Sequence, residues 1–408
     1  MSTRKTSSVL CWLFFGQAVL FNPADTRMAC SQEIERADQG EGIAIKGLVV
    51  FGDSLSDNGN TWRLTHYYSG LPDPFNQNYD TNYFRDFVGG KLTGAISTVG
   101  PSFASFPVFP RPPYDRGFFS NGPVAVEYLV DYAGLDITDP EQYQNLAFGA
   151  SWSTNLIDTV VHSWELQYLP ELRLFFQGKV MPPGLNEVVS VFLARNPVLD
   201  PDVIYGLFFN GNDYLNGFTD SQIVASRQFE NIRYLINAGA RHIFWGMMPD
   251  YSLVPCFHKG HRRDQIISSG EEHNKYIGTF ASLIRKAWPE VKLTTLDVGF
   301  IFRQIMLDPD NQFHTPDEVC TNIYIPSCER NPGMVSMLDI TSTDVQQDDP
   351  EDYLFWDQVH VTNRTHRIIS GYLCELIRES GYRINCPDKE SLRHKKIPPP
   401  SPEIEARP

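Results

Sequence analysis

Beyond its N-terminus the chain has no uninterrupted apolar run of about 18 residues, so no later segment reads as a membrane span. Basic residues are in short supply. The 34 Lys and Arg stand against 49 Asp and Glu, a net charge of −15. That average field repels polyanions and disfavours nucleic acid as a partner. No Cys-x-x-Cys and no His-Glu-x-x-His occurs, so no zinc site is expected. Gly-x-Gly-x-x-Gly is missing after the first apolar strand, and Gly-x-x-x-x-Gly-Lys-Ser/Thr is missing throughout. Both absences disfavour a nucleotide site. Gly-x-Ser-x-Gly is also missing, which excludes a nucleophile on the central elbow of the α/β-hydrolase type. There is no internal repeat.

What remains is an ordinary globular composition, 42% hydrophobic and 20% charged over 408 residues. Arg4 and Lys5 precede the short apolar run "VLCWLFFGQAVLF", residues 9–21. This pattern predicts a secretory signal peptide within residues 1–29, with Ala24 and Ala29 both open as its end. The expected location is secreted or periplasmic. A polar leader follows over 31–46, then one domain over 47–386. Residues 388–408 are rich in Pro and charge, cannot bury a core, and are expected to be disordered. Of the seven cysteines, Cys11 lies in the apolar segment. Export makes disulfides plausible for the rest. Cys320 and Cys328 bracket a short loop and are the candidate bridge, although spacing does not fix connectivity.

Apolar strands alternate with helical patterns along the domain. Strands are expected over 46–52, 143–149, 202–210, 241–248 and 291–298. Helices are expected over 124–134, 163–178, 221–239, 271–288 and 365–381. Continuous apolar strands separated by helices imply a parallel sheet covered on both faces, an α/β fold. Such a sheet carries its functional loops outside the carboxyl ends of its strands.

Those loops hold a pattern. The first strand ends in "GDS", with Ser54. The second runs into "FGAS", with Gly149 and Ala150. The third ends in "NGND", with Asn212. Further on, "YLFWDQVHVT" (353–362) sets Asp357 and His360 three residues apart. A serine hydroxyl needs a base within hydrogen-bond reach to become a nucleophile. His360 fits that role, and Asp357 fits the role of fixing the imidazole tautomer. The Asn212 amide and backbone N–H groups near Ser54 and Gly149 are candidate donors for an oxyanion hole. Asp53, Asp57, Asn58 and Asn60 read as turn-holding residues. The aromatic stretch 103–119 reads as a packed irregular insertion.

"FGDSLSDNGN", "GND" and "FWDQVHVT" together resemble, in order, the blocks of the GDSL lipase/esterase family, the SGNH hydrolases. The resemblance runs over roughly residues 47–382. Val361 replaces the usual Pro of the last block, and Ala150 replaces the second Gly of the "NxAxGGAT"-like block. The resemblance implies a three-layer α/β/α sandwich with a central parallel sheet of about five strands, flavodoxin-like. It implies Ser54, Asp357 and His360 as catalytic residues, and Asn212 with Gly149 or Ala150 in the oxyanion hole, Gly122 being a weaker candidate. No cofactor or metal is implied. "SNGPVAVEYL" and "DPEDYLFWDQVH" are most similar to lipid-acting members, the lysophospholipases, phospholipases A and glycerophospholipid–cholesterol acyltransferases. The partners implied are a lipid or other ester substrate, a sterol acceptor and a transient membrane-surface contact. The Cys320–Cys328 loop then reads as a lid. Two alternatives stand beside the lipid esterase: a carbohydrate acetyl-esterase of the same family, and a non-catalytic binding relative.

Overall fold

A computed structural model describes residues 42–69, 110–154, 183–215, 217–258, 262–311, 313, 318–321, 323, 325, 328 and 349–393. The expected signal peptide, the expected helix over 163–178 and residues 394–408 of the tail lie outside them.

Two short strands pair in parallel, β1 (Ile43–Ala44) with β7 (Tyr382–Arg383). The leader therefore joins the fold at residues 43–44, where a loose segment was expected. The main sheet contains β2 (Leu48–Gly52), β3 (Tyr143–Asn145), β4 (Ile204–Phe208), β5 (His242–Gly246) and β6 (Lys292–Leu296). All its pairings are parallel, in the order β3-β2-β4-β5-β6. The expected five strands are present, each shorter than its apolar run because the flanking residues turn into loops. The order reverses direction at β2, which opens a crevice at the carboxyl ends of β2 and β4.

The described helices are α1 (Asn60–Ser69), α2 (Ala125–Tyr132), α3 (Leu185–Arg195), α4 (Asn212–Leu215), α5 (Ser221–Ala238), α6 (Arg263–Ala287), α7 (Val298–Leu307), α8 (Asn363–Glu379) and α9 (Lys389–Arg393). Alternation along each strand divides the core into two layers. Leu48 and Val50 of β2, Phe208 of β4 and Phe244 of β5 join the apolar faces of α2, α7 and α8. Val49 and Phe51, Leu207, and Ile243 and Trp245 join those of α3, α5 and α6. Phe51 and Trp245 are wholly buried, and each such side chain contributes roughly 1.5–3 kcal/mol. The expected three-layer α/β/α sandwich follows from this division. Helix α5 starts on Asp220, whose side chain accepts from the Ile223 N–H, and stops at Gly239 with φ 123°. A Cβ there would meet the Leu199 carbonyl oxygen at 2.8 Å.

Two expectations need correction. Cys328 is bonded to Cys256, not to Cys320, and Cys374 is bonded to Cys386. Cys320 is buried, and its backbone N–H donates to Phe355 O at 3.0 Å. That bond pulls it onto the 353–362 loop, so closeness in sequence misled the pairing. The loop between Cys320 and Cys328 is consequently not closed by its own disulfide. The tail is also packed further than its composition implies. Leu392 of α9 is buried, and it fills the space over Gly371, where a Cβ would stand 2.2 Å from its Cδ1. One apolar residue over one glycine anchors the short helix.

Candidate active site

The loop after β2 is folded by its own carboxylates. Asp57 Oδ1 accepts from the N–H groups of Gly59 (2.8 Å) and Asn60 (2.6 Å). Its Oδ2 accepts from Thr61 N–H (3.2 Å) and, from the loop after β3, Gly149 N–H (2.8 Å). Asp53 Oδ1 accepts from Leu55 N–H (3.1 Å) and from the Asn210 amide (3.0 Å), which ties the loop after β4 to the loop after β2. Asp213 accepts from the N–H groups of Ser153 (3.0 Å) and Thr154 (2.9 Å), tying the β4 loop to the β3 loop. Burial pushes all three carboxyls above the usual range, although these hydrogen bonds pull the other way. The reading of Asp53 and Asp57 as turn-holding residues agrees with these bonds; the role of Asp213 has no separate signature in "GND". Gly211 has φ 101°, and a Cβ on it would lie 1.6 Å from Tyr251 Oη. Glycine is what lets Tyr251 reach across to donate to Asn210 O at 2.7 Å.

Ser54 sits on this braced loop, 7% exposed. His360 Nε2 lies 2.9 Å from Ser54 Oγ, and His360 Nδ1 lies 2.7 Å from Asp357 Oδ2. The Asp-x-x-His turn holds its own shape: Asp357 Oδ1 accepts from the N–H groups of Val359 (2.7 Å) and His360 (2.8 Å). Burial pushes the Asp357 carboxyl up, but His360 beside it, the backbone donors and Tyr114 bring it below its ordinary value. An ionised Asp357 only accepts, so Nδ1 carries the proton and Nε2 is left to accept from Ser54. Phe119 and Tyr114 flank the imidazole, with ring centroids 5.2 and 6.1 Å away. The described part of the 103–119 stretch is thus packed around the Asp357–His360 loop. Tyr114 also donates to Asp357 Oδ2 at 2.7 Å. Sequence reasoning missed this contact, since nothing in "PPYDRG" marks one tyrosine among 18.

Asn212 is on the wall of the same cleft, and its amide donates to Ser151 O at 3.0 Å. Gly149 is placed differently from its expected use. Its N–H is held by Asp57 and by Thr61 Oγ1 (2.7 Å), and a Cβ on it would collide with Phe119 at 2.1 Å. Its glycine is required by packing. Ala150, the next residue, has φ 59°, a left-handed conformation that side chains other than glycine rarely adopt. Gly122 lies against Asn363 at the start of α8. The Asn363 amide donates to Pro123 O at 2.7 Å, which occupies the "NRT" asparagine within the fold.

Ser54 and Asn212 open onto a narrow cleft with a cavity volume of about 30 Å³ and one apolar side. Leu215, Val254, Phe257, Phe302, Phe355 and Val359 form its apolar wall. The wall and the Asp357–His360 loop are coupled, because Cys256 N–H donates to Gln358 O at 2.9 Å and Cys256 carries the bond to Cys328.

A doubly covered parallel sheet with Ser, His and Asp in hydrogen-bonded series at its carboxyl edge is the framework of an ester hydrolase. The family model for the GDSL-like lipase/acylhydrolase matches residues 48–373. The chain belongs to this family. It is 23% identical to a GDSL esterase/lipase of Arabidopsis thaliana, over 86% of this chain and 87% of the relative. It is 22% identical to the phosphatidylcholine-sterol acyltransferase of Aeromonas hydrophila, over 80% and 88%. It is also 22% identical to the thermolabile hemolysin of Vibrio parahaemolyticus, over 88% and 70%.

Proposed function

We propose that the protein is an exported serine esterase that hydrolyses acyl esters of lipids through an acyl-enzyme on Ser54. Ser54 Oγ attacks the ester carbonyl while His360 Nε2 takes its proton. Asp357 stabilises the imidazolium that forms. The tetrahedral oxyanion is received by the Ser54 N–H and the Asn212 amide, with the Ala150 N–H in the place first given to Gly149. Losing one such donor typically costs ~10²–10³ in turnover. Collapse expels the alcohol, which takes the proton back from His360. Water, activated by the same histidine, then releases the fatty acid.

The observation that carries the lipid reading is the apolar wall beside Ser54, where Leu215, Val254, Phe257, Phe302, Phe355 and Val359 offer an alkyl chain a surface out of water. The two disulfides and the N-terminal signal-like segment support export. The likeness to a phosphatidylcholine-sterol acyltransferase supports a second outcome for the acyl-enzyme, capture by a sterol hydroxyl in place of water. The test is fatty-acid release from a lysophospholipid by the mature protein and by Ser54→Ala, with and without cholesterol. Release that needs Ser54 is expected, and cholesteryl ester among the products would add acyl transfer. Cleavage of acetyl esters alone would move the assignment to a carbohydrate acetyl-esterase.

A further inference from the structure

We infer that Tyr114 is a positioning residue for the triad, its hydroxyl filling the one acceptor site on Asp357 that the Asp-x-x-His turn leaves open. The inference rests on the reading of Ser54, His360 and Asp357 as a triad.

An ionised carboxylate has about four lone-pair sites. On Asp357, Oδ1 receives Val359 N–H and His360 N–H, and Oδ2 receives His360 Nδ1–H. Those three donors come from within three residues of the carboxylate. The fourth, Tyr114 Oη, comes from 243 residues away in the chain, at 2.7 Å. It is the donor that ties Asp357 to a separate part of the fold. Tyr114 is itself fixed: it is 5% exposed and packs with Phe119, Ile323, Ile325, Tyr353 and Trp356. Burial, and then the neighbouring Asp357 charge, push its phenol well above the ordinary value. The hydroxyl therefore stays protonated and donating over the whole working range.

Two donors share Asp357 Oδ2, so the Tyr114 hydroxyl draws negative charge away from the imidazole. Without it, the same oxygen faces His360 with more charge and favours the imidazolium. The other titratable groups near His360 come from separate elements. Asp53 faces it from the β2 loop. His366 of α8 also senses it and is held neutral, its pKa brought down to about 3 by burial first and by His360 second. Tyr353 and Cys320 pack in the cluster around Tyr114, while Asp115 and Arg116 pair with one another at the surface.

The experiment compares pH profiles of kcat and kcat/KM on a soluble acyl ester for the wild type, Tyr114→Phe and Ser54→Ala. Tyr114→Phe should lower kcat roughly tenfold with KM little changed. It should also move the acid limb of kcat/KM upward by about half a pH unit. A purely packing role would lower activity without moving the limb. Should Tyr114→Phe fail to fold, 3-fluorotyrosine placed at 114 keeps the hydroxyl and makes it a stronger donor, and the limb then moves to lower pH. An unmoved acid limb in the variant that folds would overturn the inference. Activity surviving in Ser54→Ala would instead overturn the triad reading on which it stands.

Discussion

Asp57 and Asp357 are both wholly buried, and each carboxylate accepts several hydrogen bonds from its surroundings. On Asp57 the donors are backbone N–H groups and the Thr61 side chain; on Asp357 two are backbone, one is an imidazole and one a phenol. The outcomes differ in sign. Burial raises Asp57 despite its donors, whereas on Asp357 the histidine and tyrosine outweigh burial and the carboxyl is lowered. Neutral donors alone leave the buried Asp57 raised, whereas His360, a neighbour able to become a cation, is the largest influence bringing Asp357 down. One aspartate is built to hold a chain in place, the other to hold a charge.

Replacing each aspartate by asparagine should separate the two roles. Asp357→Asn can no longer hold the Nδ1–H tautomer, and turnover should fall by about 10⁴. Initial rates on a chromogenic ester check this. A loss of tenfold or less would mean that Asp357 only braces its loop. The disulfide sharpens the comparison, because the Asp357 loop leans on outside support through Gln358 and Cys256. Cys256→Ser with Cys328→Ser opens a bridge that spans 72 residues, at a cost of about 4 kcal/mol in denaturant unfolding. Long acyl esters should lose more turnover than short ones, since the same strap lines the cleft.

Asp57→Asn should cost about 2–4 kcal/mol of stability through its lost acceptors. Its pH dependence carries the sign. A raised folded value means that stability is fully present below the unfolded value near 3.9 and is lost as pH rises through the folded value. Asp357, lowered, contributes stability above about 3.9 that is lost as pH falls through its folded value. Thermal melts of Asp57→Asn should therefore decline less than wild type as pH rises from 4 toward 7. A steeper decline would break the contrast. The smallest effect falls at Ala150, beside the glycine that Asp57 holds. Ala150→Gly should shift stability by less than about 1 kcal/mol, relief at φ 59° offsetting the added unfolded-state entropy.

The strands were legible because β2, β4 and β5 are short apolar runs ending near Gly, Asp or Asn, while β3 is Tyr-Gln-Asn and its apolar Leu-Ala-Phe follows the strand. Ser54 and Asn212 meet because their strand ends share one edge, while the Asp357–His360 turn leads into α8 and its place beside Ser54 was read from the family resemblance. Helices α1, α3 and α7 were not anticipated, and α6 begins eight residues before its expected start. α1 opens on Asn-Thr and carries its polar residues along most of its length, while α7 is a short run that is apolar on most sides, so neither shows a clear apolar period. Cys256–Cys328 was hidden because it joins loops brought together by the sheet, not by sequence distance. Tyr114 and the Gly149 N–H were misread or missed for one reason. A hydrogen bond across 243 or 92 positions leaves no local pattern.

The central claim is that Ser54 is a nucleophile activated by His360. It is tested most directly by treating the mature protein with a long-chain alkyl phosphonate p-nitrophenyl ester and locating the adduct by peptide mass spectrometry. The account predicts one adduct per chain, on the peptide holding Ser54, formed slowly or not at all in His360→Asn. An adduct on another residue, or labelling of Ser54 at an unchanged rate in His360→Asn, would contradict it.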